Sequence, residues 1–457
     1  MQKNEQLDVT IQSLGTEGQG IGRCDTGMAV FVEGALPGER VRVQIIKLAQ
    51  RYAVGKLLEV LEPSAQRVMP TCAAYPACGG CQLMHLDYPA QLEAKRQQVA
   101  DALARIGGID APVLPCLGMD EPWRFRNKGQ FPIGLLDQGP AVGFYALRSH
   151  RLIPLADCPV LHPAGAAALG AVQAYLDRER PAVYDERTRR GELRHLMVRV
   201  GAQTGQVMVV LVTRTPSPLP GFEGLLAGLR QAVPGLTSVI QNVHPEPTNV
   251  VLGRRNITRW GADVICDRID GLSFSIAPNA FFQVNPGQTQ VLYGQALRAA
   301  ELTGREVVFD AYCGVGTISL MLARRAAQVY GVEIVAPAVE NARENARRNG
   351  IANAQFHVGA CEDIFPQLLA QGIRPDVVVV DPPRKGCEAS LLTAIAQAAQ
   401  ARIVYVSCSP GTLARDCKLL GELGYRVQYA QPVDMFGHTG HVETVVLMAR
   451  VNRPEKP

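Results

Sequence analysis

Short alternating runs of apolar and polar residues fill the first sixty positions of the chain. Strand-like runs lie at Val30–Val32, at positions 41–45 and at Leu57–Leu61. Glycines between positions 15 and 22 and the Pro37-Gly38 pair mark turns between such runs. Several short strands in so few residues predict a small β-barrel over residues 1–62.

A mixed pattern follows, which predicts a central α+β domain over residues 63–279. Leu92, Val99, Leu103 and Ile106 form one apolar stripe, which predicts a helix from about residue 90 to residue 106. Farther along, residues 196–200 and 207–212 are strand-like.

From about residue 300 strands and helical segments alternate regularly. Strand-like runs lie at Val307–Ala311, Val329–Val332, Val377–Val380, Ile403–Val406 and Thr444–Met448. This alternation predicts a doubly wound, mostly parallel α/β sheet, which we assign to residues 280–457.

Composition narrows the class of protein. Apolar residues make up 47% of the chain, the formal net charge is +4, and no apolar run is long enough to cross a membrane. Because the first residues lack the apolar core of a signal peptide, we expect a cytoplasmic protein. We also expect it to be a monomer that does not enter the membrane. Cysteines in that compartment seldom form disulfides, so clusters among the twelve present indicate metal binding or catalysis.

The first strand of the α/β segment runs into a glycine-containing turn at Asp310–Thr317. Such turns let a cofactor approach the backbone. Glu333 ends the next strand, and its distance from the turn in the sequence is typical of an acid that binds ribose hydroxyls. A nicotinamide dinucleotide is the alternative. It is disfavoured because Ser319 stands where the G-x-G-x-x-G motif of dinucleotide-binding proteins has its third glycine.

Cys408 follows the fifth strand and precedes a predicted helix that begins near Thr412. A helix N-terminus favours a thiolate, so we expect the pKa of Cys408 to be lowered. The alternative is a buried, inert cysteine.

A thiolate suits methylation of carbon 5 of a pyrimidine, because its addition to carbon 6 makes carbon 5 nucleophilic. A base must then remove the proton from carbon 5. Glu443, at the start of the last strand, is the candidate base, although on position alone it could equally be a surface acid. His441 is a possible helper or a turn residue.

Five stretches in this order resemble the bacterial RNA uracil-5-methyltransferases that modify 23S ribosomal RNA and transfer RNA. They are Phe281–Asn285, Asp310–Thr317, Asp381–Arg384, Ser407–Pro410 and His441–Thr444. The resemblance implies an S-adenosylmethionine-dependent class I fold, with Cys408 as nucleophile and Glu443 as base. It favours 23S ribosomal RNA over transfer RNA as the substrate. The cofactor contacts that we expect are Gln283, Tyr312, Gly314, Gly316, Thr317, Glu333 and Asp381.

Two departures from this family pattern stand near the site. Ser409 replaces the usual asparagine beside the nucleophile. Ala360 stands where relatives place a polar residue near the adenine, so a contact there would come from the backbone.

Cys72, Cys78 and Cys81 form a compact set, and Cys158 is the candidate fourth ligand. Four thiolates suit either structural zinc or an iron–sulfur cluster. The resemblance implies a [4Fe–4S] cluster with a structural or RNA-positioning role.

The amino-terminal segment resembles a TRAM domain, an OB-like barrel found on RNA-modifying enzymes. Cations alternate with aromatics between Trp123 and Phe131, which suits stacked bases and phosphates, although the same alternation fits one exposed face of an ordinary strand. Two rival functions are a cytosine-5 RNA methyltransferase, disfavoured by the missing Pro-Cys pair, and a non-catalytic iron–sulfur RNA-binding protein.

Overall fold

The structure, a computed structural model, describes residues 2–398 and 400–451. Its first five strands close into a barrel in the order β1-β2-β3-β5-β4. Their bounds are β1 Gln6–Leu14, β2 Gly20–Arg23, β3 Ala29–Val32, β4 Arg40–Leu48 and β5 Tyr52–Glu62. The inward side chains alternate along β4, where Val41, Val43 and Ile45 are fully buried.

A loop that carries three of the clustered cysteines leads from the barrel to helix α1, Tyr88–Ala102. The Asp87 side chain caps the helix by accepting a hydrogen bond from the Ala90 amide at 2.8 Å. The last turn, Leu103–Gly107, is a π-helix. The face that α1 buries contains Gln91, Lys95 and Val99, whereas Ile106 of the predicted stripe is exposed.

The central part of the chain forms a seven-stranded sheet, ordered β12-β11-β10-β9-β6-β7-β8. Two helices, α2 and α3, pack on it. The bounds are β6 Lys128–Leu136, β7 Gly139–Tyr145, β8 Leu152–Pro154, α2 Pro163–Glu179, β9 Leu193–Val200, β10 Val207–Thr213, α3 Phe222–Ala232, β11 Leu236–Val243 and β12 Arg255–Gly261. A hairpin of β13 (Ile265–Ile269) and β14 (Leu272–Ile276) follows.

The carboxyl-terminal sheet has the order β17-β16-β15-β18-β19-β21-β20, with helices on both faces. Strands β15 to β19 are parallel, and β21 runs antiparallel between β19 and β20. The bounds are α4 Pro286–Ala300, β15 Val307–Ala311, α5 Thr317–Ala323, β16 Gln328–Glu333, α6 Ala336–Arg348, β17 Ala354–Val358, α7 Cys361–Ala370, β18 Val377–Val380, α8 Ala389–Gln397, β19 Arg402–Ser407, α9 Pro410–Glu422, β20 Tyr425–Val433 and β21 Glu443–Arg450.

This architecture confirms the predicted fold class: an amino-terminal barrel, a central α+β part and a carboxyl-terminal doubly wound sheet. Helix α1 joins the core of the carboxyl-terminal sheet, since Val99 and Leu103 pack in one cluster with Phe309 and Tyr405. Among the residues described, none of the helices combines the length and apolarity that a membrane span requires.

Gly22 marks the closest approach of two barrel strands. A Cβ added there would lie 2.3 Å from Val9 Cγ1 and 2.6 Å from the Thr10 carbonyl oxygen. We therefore expect Gly22→Ala to lower the stability of the barrel by about 1–3 kcal/mol, as overpacking does. This loss of stability is measured by denaturant unfolding, with proteolytic cleavage within the barrel as the readout. Gly228→Ala, on α3 with no atom within 4 Å of the added Cβ, is the control and should be neutral or stabilising.

Candidate active site

A cavity opens beyond the carboxyl ends of the parallel strands. This is the edge at which ligands bind in doubly wound sheets. Its lining residues are Ile269, Phe281, Phe282, Gln283, Tyr293, Asp310, Tyr312, Cys313, Gly314, Val315, Thr317, Ile318 and Asp381. Five of the residues expected to contact a cofactor are among them. The other two expected contacts, Gly316 and Glu333, are not among the lining residues.

The turn after β15 forms one side of the cavity. Tyr312 adopts a φ of 65°, a strained value for a residue with a side chain, and Gly314 and Gly316 have φ values of 55° and 81°. A Cβ added to Gly314 would meet no atom within 4 Å, so the backbone here faces open space that a ligand can fill. The Glu333 carboxylate accepts hydrogen bonds from the amides of Gly314 at 3.3 Å and Val335 at 2.9 Å.

Tyr293 and Asp310 also line the cavity, although the sequence-based set of cofactor contacts did not include them. Tyr293, on the buried face of α4, has its hydroxyl 3.5 Å from Thr317 Oγ1. Asp310 accepts a hydrogen bond from the Ser319 hydroxyl, and burial raises its pKa to about 7. Burial also raises the pKa of Asp381 to about 7. Asp310 begins the glycine turn and so had a visible sequence cue, whereas Tyr293 resembles any core residue of an amphipathic helix.

Cys408 and Glu443 come together through strand pairing. In the antiparallel β19–β21 ladder Ser407 is opposite Thr444, so the next position on each strand brings Cys408 beside Glu443. Burial raises the pKa of Glu443 to about 8, and the Asp381 carboxylate adds to this rise. The Arg384 side chain opposes it, and therefore lies near the same carboxyl group.

The expected lowering of the Cys408 pKa is wrong for this state of the protein. Burial first, and then the charges of Glu443 and Asp381, raise its pKa to about 11, against a smaller opposing effect of Arg384. Helix α9 begins with Pro410, which has no amide hydrogen, and Ser409 makes no side-chain capping bond. Burial, followed by the two carboxylates, is therefore the dominant influence on the Cys408 thiol.

The loop that carries Gln283 is held by the central part of the chain. Arg199, which is buried, donates to the carbonyl oxygens of Ala277 at 3.2 Å and Ala280 at 2.9 Å. The Asn127 side chain donates to the Gln283 carbonyl at 3.2 Å. Phe281 on this loop is 72% exposed and free to stack on a base, whereas Phe282 is buried.

Several side chains of the segment between Trp123 and Phe131 make contacts within the protein, and its interpretation as a row of RNA contacts stays a prediction. Trp123 stacks on His438 at a centroid distance of 4.1 Å, and Phe131 is fully buried. Arg124 makes two 2.6 Å hydrogen bonds to Asp157. Burial, and then the charges of Arg199 and Arg126, lower the pKa of Lys128 to about 8, which disfavours its charged form.

The four clustered cysteines share one neighbourhood, each half-buried. Burial raises the pKa of Cys81 to about 12, and the charges of Cys158, Cys78 and Cys72 add to the rise. Within residues 2–398 and 400–451 no three His, Cys, Asp or Glu side chains have the geometry of a formed metal site. The four thiols, which come from two segments, lie within electrostatic range of one another.

Fold and cavity together define a class I S-adenosylmethionine-dependent methyltransferase with an added RNA-binding barrel. A profile of the tRNA (uracil-5-)-methyltransferase family matches residues 263–451, and a TRAM-domain profile matches residues 2–58. The chain belongs to this family of RNA methyltransferases.

Relatives that match nearly the whole chain are named RNA methyltransferases. Uncharacterized RNA methyltransferases of Clostridium tetani and Halalkalibacterium halodurans are 51% and 47% identical to this chain, over 98% of its length and 97% and 98% of theirs. The tRNA (uracil-54, C5)-methyltransferase of Pyrococcus abyssi, solved with S-adenosyl-L-homocysteine, superimposes with a TM-score of 0.78 at 27% identity, covering 97% of this chain and 100% of that one.

The raised pKa of Glu443 gives a pH-dependent stability effect. A buried acid with a folded-state pKa of about 8 stabilises the native state at low pH and loses this contribution as the pH rises through 8. Without cofactor, we expect Glu443→Gln to have nearly the wild-type Tm at pH 5 and a Tm about 2–6 °C higher at pH 9. Scanning calorimetry at both pH values measures this. Glu422→Gln, at the exposed end of α9, should show no such divergence.

Proposed function

We propose that this protein methylates carbon 5 of a uridine in RNA, most directly 23S ribosomal RNA, with Cys408 as covalent nucleophile and Glu443 as base. The observation that supports the proposal is the pairing of β19 with β21, whose last pair, Ser407 and Thr444, precedes Cys408 and follows Glu443. The charges of Glu443 and Asp381 both act on Cys408, and Asp381 lines the cavity. A half-buried thiol near a buried acid is the pair of groups that addition and later proton removal require.

The methyl donor would be held by the glycine turn. Tyr312, Gly314, Gly316 and Thr317 would enclose it, with Glu333 on the ribose hydroxyls and Gln283 and Asp381 toward the reacting end; most of these residues line the cavity. S-adenosylmethionine supplies an electrophilic methyl group on a sulfonium. Its positive charge would also offset the two carboxylates that raise the pKa of Cys408.

In the first half of the reaction the Cys408 thiolate adds to carbon 6 of the uracil ring. A carbon–sulfur bond forms, and the electrons of the 5,6 double bond move toward carbon 5 and the carbonyl oxygen at position 4. Carbon 5 then bonds to the methyl carbon while the methyl–sulfonium bond breaks, which leaves a neutral thioether. Arg384, which lies near Cys408, favours the thiolate form.

In the second half Glu443 removes the proton from carbon 5. The electrons of that carbon–hydrogen bond rebuild the 5,6 double bond, and the bond from carbon 6 to Cys408 breaks to release the thiolate. A base with a pKa of about 8 suits this step, because proton transfer is most efficient when the pKa lies near the working pH. Glu443 then returns the proton to solvent.

The choice of RNA rests on the amino-terminal half of the chain. The cysteine cluster, together with the barrel, resembles the ribosomal-RNA branch of the family. Transfer RNA is the second candidate, because the solved relative from Pyrococcus abyssi acts on tRNA uracil-54. In either case the target base must leave its stack to reach Cys408, and the exposed Phe281 ring is positioned to support it.

We also propose that Cys72, Cys78, Cys81 and Cys158 hold a [4Fe–4S] cluster in a structural or RNA-positioning role. Support comes from the mutual effect of the four thiols on their pKa values and from the resemblance. The proposed methyl transfer contains no redox step, so the cluster would act by fixing the segments that it joins. Zinc is the alternative occupant of a four-thiolate site.

The nucleophile is tested by trapping. Incubation with 5-fluorouridine-containing 23S ribosomal RNA fragments and S-adenosylmethionine should give a covalent complex on a denaturing gel, because fluorine at carbon 5 cannot leave as a proton would. Cys408→Ala should abolish the complex and lower methyl transfer by at least about 10³-fold, while Cys417→Ala should preserve both. A transfer RNA arm in parallel identifies the substrate. Methylation by Cys408→Ala at the wild-type rate would exclude the proposed mechanism.

The cluster is tested by metal analysis of protein purified without oxygen. We expect about four iron and four sulfide per chain. Cys81→Ser should lose both, and Cys24→Ser, a half-buried barrel cysteine, should keep both. Stoichiometric zinc without sulfide would replace the cluster assignment by a zinc site.

A further inference from the structure

A buried ion pair joins helix α1 to the segment that precedes Glu443. Lys95 Nζ lies 2.5 Å from Asp434 Oδ1, and the two side chains are 1% and 0% exposed. The Tyr88 hydroxyl donates to the other oxygen, Asp434 Oδ2, at 2.6 Å. Lys95 Nζ also donates to the Phe436 carbonyl oxygen at 3.0 Å. The partners are separated by more than 300 positions in the sequence.

Asp434 is the first residue of the connection between β20 and β21, residues 434–442, which we call the base loop. Helix α1 holds the middle of this loop as well, because the Gln91 side chain accepts from the His438 amide at 2.9 Å. The His438 carbonyl accepts from the amides of Gln82 and Leu83 at 2.9 and 2.8 Å. Trp123 covers the His438 ring. The base loop is therefore fixed from outside its own sheet, and it leads directly into Glu443.

A buried ion pair costs desolvation free energy that apolar side chains in the same space would not cost. Two apolar side chains of similar volume would pack there without losing the hydration of two charges, and such replacements are often neutral or stabilising. What the charges provide is direction, since Lys95 must face both Asp434 and the Phe436 carbonyl. The pair thus fixes the path of the base loop and not merely its burial.

We propose that Lys95 and Asp434 are positioning residues, which hold the base loop so that Glu443 faces carbon 5 in the second half of the reaction. The inference rests on the proposed function. The contacts of both side chains run to one another, to Tyr88 and to Phe436, on the α1 side of the loop. Cys408 follows β19 and leads into α9, so the base loop does not carry it.

This arrangement predicts which half of the reaction a loosened base loop would slow. Thiolate addition and methyl transfer should continue, because Cys408 and the glycine turn keep their supports. Proton removal from carbon 5 should slow, since a displacement of about 1 Å at a catalytic group is enough to cost about 10²-fold. A methylated RNA–protein adduct should then accumulate with ordinary uridine RNA, in which the wild-type protein resolves it.

The test uses the full-length protein, an unmodified RNA substrate and methyl-labelled S-adenosylmethionine in single-turnover reactions. Adduct and free methylated RNA are separated on denaturing gels. For Lys95→Met we expect adduct formation within about threefold of wild type and adduct release slowed by about 10–100-fold. Tyr88→Phe removes two hydrogen bonds, the one donated to Asp434 and the one accepted from the Met119 amide, but leaves the ion pair in place. It should give a smaller change of the same kind, which keeps the test valid if Lys95→Met folds poorly.

A second buried ion pair provides the matched control. Arg67 lies 2.6 Å from Glu39, whose side chain is fully buried, at the junction of the barrel and the cysteine loop. Arg67→Met should lower stability without accumulating adduct, and Lys418→Met, on the exposed side of α9, should change neither. Hydrogen exchange in the base loop gives a readout independent of activity, and Lys95→Met should raise it locally.

The outcomes separate this inference from the function on which it rests. Glu443→Gln should trap the methylated adduct; if it does not, or if Cys408→Ala still methylates, the proposed mechanism is wrong. If Glu443→Gln traps adduct but Lys95→Met and Tyr88→Phe release methylated RNA at the wild-type rate, or slow formation and release equally, the positioning role is excluded.

Discussion

The antiparallel pairing of β21 with β19 is the constraint on which the active site depends. Strands β16 to β19 are parallel to β15. The cavity lies beyond the carboxyl ends of this parallel part of the sheet. Because β21 runs the opposite way, its first residue lies at the edge where β19 ends. A residue that begins one strand, Glu443, thus meets a residue that follows another, Cys408. A register shift by one position would turn Glu443 to the other face of the sheet.

Burial sets the chemistry of the groups gathered at that edge. Asp310, Asp381 and Glu443 all have pKa values raised to about 7 or 8, because a carboxylate loses its hydration in the interior. The same charges disfavour the Cys408 thiolate. A site that is rich in acids and poor in cations is well suited to a positively charged donor, whose arrival would favour ionisation of both the nucleophile and the base.

The site is assembled from segments that are distant in the sequence. The central sheet holds the loop with Phe281 and Gln283 through Arg199, and helix α1 holds the base loop through Lys95. Gly440 of the base loop packs against the barrel, since a Cβ there would lie 2.9 Å from the Gly18 amide nitrogen. Contacts of this kind give each part of the chain a direct physical link to the residues proposed to react.

The sequence by itself determined the fold class and the order of motifs, because apolar periodicity and glycine turns are local properties of the chain. It also ranked Cys408 and Glu443 as a pair, through their positions at strand ends. Only the tertiary structure decided that Lys95 is buried against Asp434 and that Trp123 stacks on His438, since these partners lie hundreds of positions away in the sequence. The pKa of Cys408 likewise follows from desolvation and from carboxylates on other strands, which no local pattern contains.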